Sequence, residues 1–348
     1  MLQVLFAALP LGTALLEIAT AIALAVAIFR PARSGWPYLA PVALITCCSL
    51  VATMPTDLAS LRLAIAPLWA LSLCLAIPRL TVSQRAFQLG VLSAAAVAGV
   101  AIVQGLIQAS QGGPALAKGT FSHHLTLGYA LVPPLAILMH QELGLGPWWR
   151  RGAVILLAGG IVASGGQGPL LALVLVLLAH WMRPAAALTI GVAANLLGVV
   201  LLPSTLLEQR AVLWTSGAQV LALPGVGVGQ ADFRTALATA EQSVQPGFYF
   251  PLHAHDSLLQ IGLTAGLGAW IAWAALLLLM WEKTGRGGRV AIAAVVVGGL
   301  TQDTLGDLEV IRALTAWVIG TSLLATPSTG GGGGREATGG GGPPRASS

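Results

Sequence analysis

A chain of 348 residues that is 56% hydrophobic and 8% charged cannot build a water-facing surface, since an ordinary soluble domain carries about 25% charged residues. Its formal charge of +5 and pI near 9.6 do not mark a nucleic-acid binder, because the basic residues stand singly between apolar runs instead of forming a face. Cys47, Cys48 and Cys74 lie within apolar stretches and match no zinc or redox spacing, so they read as small buried hydrophobes.

Apolar runs of about 20 residues, enough to cross roughly 30 Å of hydrocarbon, recur from Leu2 to Ala325. The first, Leu2 to Phe29, has no Lys or Arg ahead of it and reads as a retained span, not a cleaved signal. Spans are predicted near 8–29, 36–54, 58–78, 86–108, 122–140, 150–164, 168–182, 185–203, 256–281, 288–304 and 309–326. The fold class is therefore all-α: a polytopic transmembrane helical bundle of about eleven spans, ten to twelve allowing for boundary error. One integral membrane unit is expected over 1–326. The Gly, Pro, Ser and Thr of 327–348 cannot bury enough apolar area to order themselves, so that tail is expected to be disordered.

Basic residues in the connections set the expected orientation. Alternate loops contain Arg30 and Arg33, Arg79 and Arg85, Arg150 and Arg151, Arg183, and then Lys283, Arg286 and Arg289. The intervening loops hold only Lys118, Arg210 and Arg234, with Arg62 and Arg312 just inside adjoining spans. Ten against five marks the first set as cytoplasmic. An odd span count then leaves the N-terminus outside. Two longer connections, 109–121 and 204–255, fall on the external face, and function is sought there.

Within 204–255, Ser204 or Thr205 is a candidate N-cap for LLEQRAVLWTSGAQVLAL, whose apolar residues recur at helical spacing as in an amphipathic surface helix. Pro224 ends it, and Gly225, Gly227 and Gly229 make a flexible turn. The loop closes with PLHAHDS, where Asp256 or Ser257 caps the next span and leaves His253 and His255 at a helix N-terminus.

Several of these residues can carry chemistry. A neutral imidazole at His255 can accept a proton from an attacking hydroxyl, with His253 beside it; an amphipathic interface pair is the bland alternative. Arg210, four residues before Trp214, can hold phosphate oxygens through its two-pronged guanidinium, and the glycine amides of 225–229 can add a concave anion site. A lipid-facing arginine and a plain turn would look the same. His123 and His124, following Gly119-Thr-Phe-Ser, enter another span from the outer face. Ser164-Gly-Gly-Gln-Gly168 reads as a tight polar hairpin. Glu17 and Gln104 are costly polar groups in early spans, but one carboxylate with no visible charged partner makes a weak ion pathway. Asp303, Asp307 and Glu309 read as a solvated acidic turn. Asp232, Glu241 and Asp256 show no metal-ligand spacing, and neither a metal nor a cofactor is expected.

The order of these features resembles the O-antigen ligase and O-antigen polymerase family of bacterial membrane glycosyltransferases. Gly119-Thr-Phe121 enters a helix, a small polar turn precedes LLALVLVLLA, and then come Arg210-x-x-x-Trp214, Pro224-Gly-Val-Gly-Val-Gly229 and His253-Ala-His255-Asp-Ser-Leu-Leu-Gln-Ile-Gly-Leu-Thr-Ala-Gly266-Leu-Gly268. The likeness is specific from Lys118 to Gly268 and topological elsewhere. It implies metal-independent transfer of a glycan from undecaprenyl pyrophosphate to an acceptor hydroxyl at the periplasmic face of the inner membrane. Lipid A core, another glycan or a protein would be the acceptor, and membrane lipid the surroundings; no nucleic acid is involved. By resemblance His255 is the base, though Asp256 stands where the family has Asn, and Arg210 holds the pyrophosphate. Gln167 replaces the arginine usual in the family's Ser-Arg-Gly turn, so Lys118 or Arg234 must supply that cation, or activity is altered. The alternatives are a multi-pass transporter or flippase and a catalytically degenerate family member.

Overall fold

The computed structural model describes residues 2–8, 10–11, 13–29, 36–80, 83–121, 123–200, 204–221, 227–247, 256–300, 302, 304–305 and 307–324. Their regular structure is helical throughout: α1 Leu2–Ala8, α2 Thr13–Ile28, α3 Trp36–Thr53, α4 Leu58–Ala64, α5 Ala66–Ala76, α6 Gln84–Ser110, α7 His124–His140, α8 Pro147–Ala163, α9 Gln167–Leu178, α10 Pro184–Val200, α11 Ser204–Leu221, α12 Gly229–Val244, α13 Ser257–Lys283, α14 Arg286–Gly299 and α15 Leu308–Leu324. Each apolar segment of the sequence coincides with one of these helices or with a broken pair. The predicted tail lies outside the described residues.

Three breaks and one addition depart from the sequence reading. The first apolar segment is two helices, α1 and α2, separated around Pro10. The third bends by 45° between α4 and α5, where Ile65 ends one helix and Pro67 sits in the first turn of the next. Inside α13, Gly266 leaves the helix at φ 79°, and the Trp270 indole lies back over Gly262 to donate to the Leu258 carbonyl. Helix α12 was not expected: its polar face and the glycines before it disguise it as loop.

Two helices, α6 and α13, are long and apolar enough to cross a membrane, and α4 with α5 makes a third if the bent pair is one span. Several others are apolar but shorter; at 1.5 Å per residue the 17-residue α7 reaches only about 25 Å.

Helix α14 is the axis of the bundle. Nearly all of its residues from Gly287 to Gly299 are buried, and α7, α9, α10, α13 and α15 pack around it. Glycines bring the helices close: a Cβ on Gly160 would stand 2.6 Å from that of Ala98, between α8 and α6. Phe6, Phe87 and Trp317 join α1, α6 and α15, with ring centroids 4.4 to 5.6 Å apart. Gly90 and Gly320 provide the room.

Glu17 has the charged partner that the sequence did not reveal. Arg312 Nη1 donates to its Oε1, and the Trp69 indole donates to Oε2, so one carboxylate ties α2, α5 and α15. The Arg312 side chain is fully buried, that of Glu17 is 38% exposed, and the guanidinium lies 5.8 Å from the Trp69 ring centroid. Arg312 Nε and Nη2 have no hydrogen-bond partner among the described residues. Guanidinium cannot shed its charge, whereas carboxylate can protonate. Glu17→Leu is therefore expected to destabilise the protein by about 3–5 kcal/mol, more than Arg312→Leu, with the double variant regaining most of the loss. Denaturant unfolding in detergent measures this; equal costs for the two single changes would contradict it.

Candidate functional site

Four helices begin at one place. The His123 side chain accepts from Leu125 N (3.2 Å) and caps α7, Gly166 opens α9, Asp256 caps α13, and Asp307 Oδ1 accepts from Glu309 N (3.0 Å) and Val310 N (3.2 Å) at the head of α15. Hydrogen bonds lock these starts together. Thr126 Oγ1 donates to Asp307 Oδ2 (2.6 Å), His124 Nδ1 meets the Ser164 carbonyl (2.8 Å), and Ser257 Oγ donates to the Gln302 carbonyl (3.1 Å) and accepts from Leu305 N (3.0 Å). Gly168 abuts the Tyr129 hydroxyl, within 2.0 Å of where a Cβ would stand, and touches Gln302. Each helix start carries a partial positive charge, answered in three of the four by the His123, Asp256 and Asp307 side chains that accept from the first N–H groups, and the four starts meet in one polar bowl.

The connection from α6 to α7 dips back into the bundle beside this bowl. Gln104 clasps Gly119, accepting from its N–H (2.9 Å) and donating to its carbonyl (3.3 Å); Ala117 N donates to the Ala163 carbonyl (3.0 Å). Gln104 is thus a polar group with a definite use. Since it lies six residues before the end of α6, the loop is recessed by roughly 9 Å, and Lys118 is brought close enough to His123 to act on its charge.

Electrostatics here follow from burial and from that cation. His123 is held below the ordinary histidine value by desolvation, then by His124 and Lys118, against an opposing pull from Asp307. Its capping role needs an unprotonated Nδ1, which agrees. At His124 the Ser164 carbonyl can only accept, so Nδ1 carries a proton. Desolvation raises Asp307 and Asp256, opposed in each by hydrogen bonds to the carboxylate.

Of the residues singled out in the sequence, His123, His124, Lys118 and the Gln167 turn are brought together, with Gln167 exposed in the first turn of α9. His255, His253 and Gly225 lie outside the described residues; Asp256, the neighbour of His255, is in the bowl. Arg210 is on α11, which packs on α12 and the first half of α13. Burial pulls its pKa down, and neither its Nη1 nor the Trp214 indole nitrogen has a hydrogen-bond partner among the described residues. No described contact joins Arg210 to the four helix starts. Gly227 and Gly229, both at φ 83°, serve close backbone packing: Gly227 against Ala265 and Gly266, Gly229 against Ala52 and Thr53. Val228 N donates to the Leu263 carbonyl (2.7 Å), within a turn of the break in α13. Arg234 is exposed on α12, over the Phe233 ring.

Thr126, Tyr129 and Gln302 were missed, Ser257 was read only as an alternative cap, and Asp307 was read as a solvated turn although it is a partly buried double cap. One signal was present: His123, Thr126 and Tyr129 recur every three residues along an otherwise apolar helix. The buried Tyr129 hydroxyl has no hydrogen-bond partner among the described residues. No group of His, Cys, Asp and Glu among the described residues is arranged to hold a metal ion. No protein-family model matches this chain, and no curated protein matches it.

A histidine whose folded pKa lies below its unfolded value binds fewer protons when folded, so stability rises with pH across that interval. His123 therefore favours folding above about pH 6.5 and loses that contribution as pH falls through 6.5 towards its folded pKa. Lys118→Gln should raise the His123 pKa and Asp307→Asn should lower it, read from the imidazole NMR signals. Shifts in the reverse directions would rule out this arrangement.

Proposed function

We propose that the protein is a multi-pass membrane glycosyltransferase of about eleven spans, with the bowl of helix starts on the non-cytoplasmic side. There it transfers a glycan from an undecaprenyl-pyrophosphate carrier to an acceptor hydroxyl. The observation that carries this is the convergence of α7, α9, α13 and α15 at their N-termini, with Lys118, His123 and His124 beside them: a recessed site suited to a pyrophosphate and supplied with imidazole bases. The order of motifs from Lys118 to Gly268 supports the same reading.

In the proposed reaction the acceptor oxygen attacks the anomeric carbon, and His255 takes the hydroxyl proton. The bond from that carbon to the pyrophosphate oxygen breaks, leaving undecaprenyl pyrophosphate with the electron pair. Arg210 and the helix-start amides stabilise that leaving group, with Lys118 supplying the cation that Gln167 does not. General-base assistance accelerates such steps about a hundred- to ten-thousandfold. The prenyl chain stays in lipid while its phosphates reach the bowl.

A second reading, transport of a lipid or small solute, is favoured by the Glu17–Arg312 pair lying beside two helix breaks, since intramembrane charges and interrupted helices mark transport pathways. Transfer of labelled glycan in proteoliposomes separates the two. Under the proposal transfer survives chelation and falls at least about a hundredfold in His255→Ala and in Arg210→Ala. Solute flux that ignores His255 but is lost in Glu17→Gln would replace the transferase with a transporter.

A further inference from the structure

The opposite end of the bundle gathers helix C-termini, and arginines complete them. Arg150 donates to the Leu138 and Met139 carbonyls at the end of α7 (3.1 and 3.3 Å). Arg286 Nη2 donates to Ala179, His180 and Met182 after α9 (2.7 to 3.1 Å), and Arg289 Nε to Trp281 near the end of α13 (3.0 Å). A cavity of about 510 Å³ lies between the α9–α10 and α13–α14 turns, lined by Arg183, Arg286, Arg289 and Trp181 and by no acidic residue.

Resting on the membrane reading above, we propose that this groove is the headgroup site of an anionic phospholipid. Three arginines line one cavity. Two of them are fixed by backbone carbonyls, which removes much of the cost of ordering a long side chain on binding, and the Arg183 side chain makes no hydrogen bond among the described residues. The uncapped start of α14 at Gly285 borders the same space, adding amide donors for a phosphate. A phosphodiester accepts paired hydrogen bonds from guanidinium, and basic pockets between spans on the cytoplasmic side suit acidic lipid headgroups.

Interfacial depth is indicated by tryptophan. Trp181, Trp148 and Trp149 are 77%, 81% and 69% exposed at this one end, the placement of an aromatic belt. Exposed Leu177 and Ile190 lie on α9 and α10, the helices leading away from the groove, and offer apolar surface to acyl chains. A free anion would use the arginines but not the indoles and aliphatic side chains.

The test is native mass spectrometry of the full chain released from nanodiscs of equal phosphatidylglycerol and phosphatidylcholine. Wild type should retain phosphatidylglycerol preferentially, Arg183→Gln should lower that preference about fivefold, and Arg151→Gln, outside the groove, should leave it unchanged. Equal retention of the two lipids, an unaffected Arg183→Gln, or displacement of the lipid by millimolar inorganic phosphate would overturn the proposal. Carbonate washing of membranes separates the two failures: extraction of the chain sinks the membrane reading itself, whereas an integral chain without lipid preference sinks only this site.

Discussion

Every helix end leaves four N–H or four C=O groups without an intrahelical partner, and inside an apolar bundle water cannot satisfy them cheaply. That constraint organises both ends of this protein. α7, α9, α13 and α15 run in one direction around α14, so their donors gather at one end and their acceptors at the other. The donor end is closed by acceptors: His123, Asp256 and Asp307, with Thr126 and Ser257 cross-linking them. The acceptor end is closed by donors, the guanidinium groups of Arg150, Arg286 and Arg289. The same polarity sets acceptor side chains at one end and arginines at the other.

Charge bias in the loops and helix capping thus have a common structural expression. Three of the arginines expected from the sequence to be cytoplasmic, Arg150, Arg286 and Arg289, reach back to helix C-termini, where cations are favoured. Arg312 is different in kind. It lies within α15 and balances Glu17 at a separation of 295 residues, serving the packing of α2 and α5 and not the orientation of the chain.

Helix positions were legible because lipid-length apolar runs and their Pro and Gly boundaries are local signals: α3, α6, α7 and α13 begin and end within a few residues of expectation. So was Asp256 as a cap. What was not legible depends on partners distant in sequence. Nothing near Asp307 announces Thr126, 181 residues away, and nothing near Gly168 announces the Tyr129 hydroxyl it accommodates. Helix α12 escaped because its polar sequence follows a Pro-Gly run, and the break at Gly266 because a glycine in an apolar helix is usually only a packing residue. Gly227 and Gly229 read as an anion-binding turn; their glycines are needed for close approach of the backbone to α13 and α3, a demand that composition does not distinguish from ligand binding.

The central claim is that helix polarity puts the bowl and the arginine-rich groove on opposite sides of a membrane. Single cysteines in a background lacking Cys47, Cys48 and Cys74, placed at the exposed positions Lys118 and Gln167 and at Trp181 and Arg183, test it directly with a membrane-impermeant maleimide. The account predicts that Lys118→Cys and Gln167→Cys react on intact spheroplasts, while Trp181→Cys and Arg183→Cys react only after permeabilisation. Labelling of all four from one side, or the reverse pattern, would contradict it.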